Sequence, residues 1–206
     1  MKTLSIILIG LSSFSVTAQY KAEEFEAALL QAKYGAMLVY NGQKNSFSLR
    51  FISKAVVPTN EPNFLRVDNI LMQSSIIPFT EKVDFNNLND DAQRSFLAGW
   101  KNYEKEWVQE QLKTEINDAS EFMKIAERSF LYWTYDMPKG DDPNAVVKQV
   151  YLVAICFDQI LILNGPVEKG KTESAVKEKL ISVAQTLKIN PGQVQDIEKL
   201  YKDLMK

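Results

Sequence analysis

The chain has 206 residues, a net charge of −2, no histidine and a single cysteine, Cys156. Without imidazole there is no Ser-His-Asp or Cys-His machinery and no histidine-built zinc site, and one thiol allows no internal disulfide. The slightly acidic balance lacks the clustered positive surface that nucleic acid requires, while 46% hydrophobic and 11% aromatic residues can fill one substantial core.

Residues 1–18 read as a signal peptide. Lys2 supplies the positive start, residues 4–11 form a short apolar run, and Val16-Thr17-Ala18 puts a small residue before Gln19. That run falls short of the roughly 20 residues a membrane-spanning helix needs. Cleavage between Ala18 and Gln19 is expected, delivering a secreted or periplasmic product. Later segments carry too many polar residues for a membrane span. Residues 19–206 show no repeat or Gly/Ser linker and read as one α+β domain.

In chain order, residues 22–33 are rich in good helix formers, with Phe25 and Leu29 on one edge, and predict a helix stopped by Gly35. Residues 36–40 read as a strand, Asn41-Gly42 as a hairpin turn, and Phe47, Leu49 and Phe51 as the dry face of a strand whose wet face is Ser46, Ser48 and Arg50. After a loop at residues 58–62, residues 63–78 are extended. Asp84, Asp90 and Asp91 superficially resemble a calcium loop, but Leu88 occupies a ligand position and the turn glycine is missing. A helix entrance capped by Asn89 or Asp90 is the better reading.

The longest helix is expected over residues 92–116, with Phe96, Trp100, Tyr103 and Trp107 as its apolar stripe, widened by Leu97, Val108 and Leu112. Residues 129–137, 149–157 and 160–163 are apolar on both alternating faces, so they should form a sheet covered on both sides. Asp158-Gln159 is the expected tip of an antiparallel hairpin. A helix over residues 173–187 presents Val176, Leu180, Val183, Ala184 and Leu187. A last helix, capped by Asn190 with Pro191 in its first turn, presents Val194, Ile197, Tyr201 and Leu204.

Residues with chemistry are sparse. Asp136 and Asp158 stand in apolar surroundings, yet a strand end and a hairpin turn explain them, and Glu104, Glu106 and Glu110 share a helix face with lysines. Ser74-Ser75 has no lysine at a local spacing that would activate it. Cys156, inside a buried strand pattern, reads as an inert thiol. The glycines at 165, 170 and 192 are isolated, so no phosphate loop is present and no cofactor or metal is expected. The aromatic set Trp100, Trp107, Tyr132, Trp133 and Tyr135 suits a groove or a partner surface. Trp133 and Tyr135, with Asp141 and Asp142 in the adjoining loop at residues 139–144, form the candidate interaction surface.

The order long helix, aromatic strand, hairpin ending Leu161-Ile162-Leu163-Asn164, and helix ending Ile181-Ser182-Val183-Ala184-Gln185-Thr186-Leu187-Lys188-Ile189 resembles the PsbP/Mog1-like family. The resemblance covers residues 128–190. Residues 63–112 and the helix after Asn190 lie outside it. It implies a three-layer α/β/α sandwich, a mainly antiparallel sheet with helices on both faces. It also implies a non-catalytic binding or assembly role with no catalytic residue to carry over. A protein partner in the envelope or secreted space is the expected ligand. The alternatives are a histidine-independent hydrolase using two carboxylates, and a small-ligand carrier with an apolar cleft of at least about 300 Å³.

Overall fold

The computed structural model describes residues 20–61, 63–81, 83, 88–140, 142 and 145–206; the expected signal peptide lies outside them. Among the described residues, two antiparallel sheets and three helices make an α+β fold. A four-stranded sheet runs β1 (Glu26–Gln31), β2 (Ala36–Asn41), β3 (Ser46–Phe51) and β11 (Lys188–Asn190). A seven-stranded sheet runs β4 (Val56–Pro58), β5 (Phe64–Val67), β6 (Ile70–Pro78), β10 (Gln159–Glu168), β9 (Val146–Cys156), β8 (Arg128–Asp136) and β7 (Asp118–Ile125).

Strand β1 corrects the helix expected over residues 22–33. Alanine, leucine and glutamate favour a helix by only a few tenths of a kcal/mol each. Here they are outweighed by a continuous ladder from Glu26↔Asn41 to Gln31↔Ala36. Gly35 turns the chain at φ +93°, where any Cβ would run into the Phe51 carbonyl oxygen. Strand β7 had no clear sequence signal, since its charged and small residues keep it largely exposed at the sheet edge.

The centre of the large sheet, β8 to β10, is apolar on both faces and covered on both, as its alternation requires. Leu131, Trp133, Tyr135, Val153, Ile160 and Ile162 face α1 (Asp90–Leu112), meeting Leu97, Trp100 and Val108. The opposite set, including Phe130, Leu152, Cys156, Leu161 and Leu163, packs on Val176, Leu180 and Val183 of α2 (Glu173–Ala184) and on Phe47, Leu49 and Phe51 of the small sheet. Cover on that side is therefore shared between a helix and a second sheet. The hairpin turn falls at Phe157-Asp158, one residue earlier than expected, with Phe157 at φ +57° and Cys156 paired to Gln159.

Two further expectations at the small sheet are corrected. Ser46, 0% exposed, and Ser48 are buried rather than wet. Residues 191–196 cross that face, and the Ser46 hydroxyl donates to the Gln193 carbonyl at 2.7 Å. The Asn41 amide donates to the Gln195 carbonyl at 2.9 Å. Asn190 belongs to β11, so the last helix, α3 (Ile197–Leu204), starts later, with the Asp196 carboxylate accepting from Lys199 N at 3.0 Å. Its inner edge is Ile197, Leu200 and Leu204 against Leu30, Met37 and Val39, while Val194 and Tyr201 are exposed.

Helix α1 is capped by Asn89, whose side chain accepts from Ala92 N at 2.8 Å, and Asp90 and Asp91 in its first turn oppose the positive helix end. Its far end is fastened by Asp118, which accepts from Lys105 Nζ at 2.6 Å and from the Trp133 indole at 3.1 Å, with Lys101 at 3.5 Å. Burial pushes the Asp118 pKa up, but the Lys105 and Trp133 hydrogen bonds and both lysine charges together bring it below the ordinary 3.8. A carboxylate with a lowered folded pKa contributes stability above its unfolded pKa and loses it as pH falls through the folded one. Below pH 3.8 the thermal midpoint should therefore drop. In Asp118→Asn that part of the acid slope should be missing when scans are taken at successive pH values.

No helix among the described residues is long and apolar enough to cross a membrane.

Candidate binding surface

Trp133 and Tyr135 are not surface anchors: they are 0% and 5% exposed, because odd positions of β8 point under α1. The Trp133 ring lies 4.9 Å from Tyr151 and stands perpendicular to Trp100 at 6.0 Å. The Tyr135 and Tyr151 hydroxyls share a hydrogen bond at 3.3 Å. Asp142 is exposed, and Asp141 lies outside the described residues, as do residues 84–87 of the expected helix entrance.

The other chemical candidates have structural duties. Asp136 accepts from Lys148 Nζ at 3.1 Å and from the Asn117 amide at 3.0 Å, which hold its pKa low. Asp158 accepts from Tyr20 Oη at 2.8 Å, Glu23 N at 2.7 Å and Gln159 Nε2 at 3.0 Å, fixing the N-terminal segment to the hairpin turn. Glu23 in turn accepts from Lys44 N at 2.6 Å and Asn45 N at 3.1 Å. Both carboxylates line a cavity of about 310 Å³, but their oxygens are committed to the fold. Ser74 is buried, its hydroxyl 2.9 Å from Tyr40 Oη. Burial pushes the Cys156 thiol up to about 12. Ellman's reagent should leave it unmodified in native protein at pH 8 and titrate it on unfolding in guanidinium.

Glu104 differs. Partial burial on α1 raises its pKa. Among the described residues its side chain has neither a hydrogen bond nor an ion pair.

The open ground lies beside α1. A cavity of about 720 Å³ runs between the helix and the end of β6, walled by Ile77, Phe79, Phe96, Trp100, Tyr103 and Ile160. Gly99 leaves the helix bare there, with nothing within 4 Å of where a Cβ would stand. Tyr103 is 70% exposed, Trp107 50% and Ile77 39%. A second cavity of about 430 Å³ lies beyond Phe79, lined by Tyr20, Ala22, Phe25, Ile76 and Gln159; the two share Pro78, Phe79 and Thr80.

This surface was hidden in the sequence by a shared residue. The stripe Phe96–Trp100–Tyr103–Trp107 and the truly buried stripe Leu97–Trp100–Val108 both pass through Trp100. Only one can face the sheet. The sheet takes the leucine and valine side, leaving Tyr103 and Trp107 outside. A helix with more large apolar residues than one face can hold was the available signal.

Among the described residues no three acidic or cysteine side chains are grouped to hold a metal ion. No family model matches the chain, and no curated protein matches it in sequence. Among solved structures it is similar to cyanobacterial PsbP (CyanoP) from Synechocystis sp. PCC 6803, at 10% identity and a TM-score of 0.40 over 86% of this chain and 98% of that one.

Proposed function

We propose that this chain is a secreted or periplasmic, non-catalytic binding protein that takes a protein partner into the groove beside α1. In this reading α1, the large sheet and α2 form the three layers of an α/β/α core, and the groove opens at the rim of the α1 layer. The observation that carries it is the gathering of exposed Tyr103 and Ile77 with Phe79, Phe96 and Trp100 around one open cavity of about 720 Å³. Aromatic side chains in such settings dominate binding energetics. Asp136 and Asp158, the two carboxylates in apolar sequence surroundings, are held by fold contacts, which lends the hydrolase alternative no support from either.

A photo-crosslinking residue at Tyr103 should capture one envelope protein, and the same group at exposed Tyr34 should capture none. Equal labelling from both positions overturns the groove. The cavity also exceeds the roughly 300 Å³ that a carrier needs, so a small molecule retained in native mass spectra, with no crosslinked protein, favours that second reading. The exported protein should begin at Gln19 by intact mass; a retained Met1 removes the proposed localisation.

A further inference from the structure

Resting on that reading, the geometry points to the chemistry of the partner: we propose that the free edge of β6 at residues 75–78 accepts an extended segment as an added strand. That segment carries two successive apolar side chains between basic flanks.

The backbone supplies the first part of the argument. On one side β6 pairs with β10 from Gln73↔Asn164 to Pro78↔Gln159. On the other side β5 ends early, at the Phe64↔Gln73 pair, followed by a hydrogen bond from Ser74 N to the Asn63 carbonyl at 3.2 Å. Backbone groups point alternately to the two sides of a strand. Ser74 N–H faces β5 and Phe79 N–H faces Asp158 O at 2.9 Å on the β10 side, so the N–H and C=O of Ile76 point outward past the end of β5. Among the described residues no strand pairs with them. By the same alternation the Pro78 carbonyl points outward too, so this short edge offers one N–H and two carbonyls to which another strand can add.

The side chains supply the second part. Successive residues of a strand face opposite ways. Ile76 opens onto the cavity of about 430 Å³ and Ile77 onto that of about 720 Å³. A strand laid against this edge therefore drops one side chain into each. Neither cavity alone specifies an extended ligand; the free edge running between them does.

Charge supplies the third. Glu81 lines the larger cavity, Asp91 directly precedes its wall at Ala92, and Glu61 sits at the β5 end. None has an ion pair among the described residues. Lys21 and Glu24, at the smaller cavity, neutralise each other at 2.7 Å. An acidic rim favours a basic segment. A second copy of this chain is disfavoured because antiparallel self-pairing centred on Ile76 would bring Glu81 of one copy opposite Leu71 of the other, where β5 already pairs through Arg66.

The test uses the full mature chain and a fluorescein-labelled peptide, Lys-Lys-Thr-Val-Ile-Thr-Lys-Lys, read by anisotropy. Binding should weaken about tenfold or more when glutamate replaces the lysines, and by a similar factor in Ile76→Pro, which deletes the outward amide and leaves the β10 ladder intact. On peptide addition, hydrogen exchange at the Ile76 amide should slow, while Ser75 and Ile77, already bonded to β10, stay unchanged. No binding at about 1 mM peptide, equal binding of the glutamate version, or unaltered Ile76 exchange overturns the proposal. Exchange is read on the unsubstituted protein, so it decides the matter even if Ile76→Pro unfolds. Crosslinking from Tyr103 that persists undiminished while the peptide fails leaves the groove reading standing without the edge; loss of that crosslink as well removes both.

Discussion

Trp133→Ala should be the most damaging single substitution in this protein, lowering stability by about 3–5 kcal/mol in urea titrations followed by far-ultraviolet circular dichroism. Three losses coincide. The indole is fully buried between α1 and the sheet, in contact with Trp100, Tyr135 and Tyr151. Its removal opens a cavity that a β-strand backbone cannot collapse to fill. Its N–H also leaves Asp118, the residue fastening α1 through Lys105 and Lys101. Trp133→Phe should recover part of the packing but not that hydrogen bond. Tyr103→Ala, on the open side of the same helix, should fall within about 0.5 kcal/mol of the parent. Equal losses at the two positions would contradict the assignment of buried and open helix faces.

Asp158→Ala should cost about 2–4 kcal/mol and free the N-terminal segment while the rest of the sheet stays folded. Tyr20 Oη, Glu23 N and Gln159 Nε2 all lose their acceptor in one step. Burial and the neighbouring Asp158 charge also push the Tyr20 hydroxyl up to about 12, so it stays a donor throughout the ordinary pH range. Hydrogen exchange should quicken at Glu23 and its neighbours before the β9–β10 ladder responds. Asp158→Asn should lie between the parent and the alanine variant, since its amide oxygen can replace some acceptor capacity. If all three proteins exchange alike at residues 20–25, Asp158 does not hold that segment.

The strands apolar on both faces were legible because alternation survives any change of partner: Phe130 and Leu131 must be covered from opposite sides in every arrangement. Helix α2 was equally plain from Val176, Leu180 and Val183. The errors share one cause, namely that local preference was decided from a distance. Residues 26–31 favour a helix locally but are recruited by β2. Asn190 and Pro191 look like a helix start but serve β11 and the crossing segment that buries Ser46. The placing of Trp133 and Tyr135 on the candidate surface failed for a related reason. Trp133 and Tyr135 carry the residue types of a hot spot, and only the placement of α1 above them shows that they are core. Tyr103 and Ile77 could not be distinguished from core residues until the sheet had chosen which side of the helix to take.

The pairing of β11 with β3 joins Ile189 to Phe47, residues 142 positions apart in sequence. Such high contact order slows folding, because a long loop must close before its contacts repay the entropy. A nascent chain emerging from the ribosome cannot finish its smaller sheet until residues 188–190 are synthesised. Fragments lacking the last turns of chain should stay open longer, accessible to chaperones, and the native topology should arrive late and all at once.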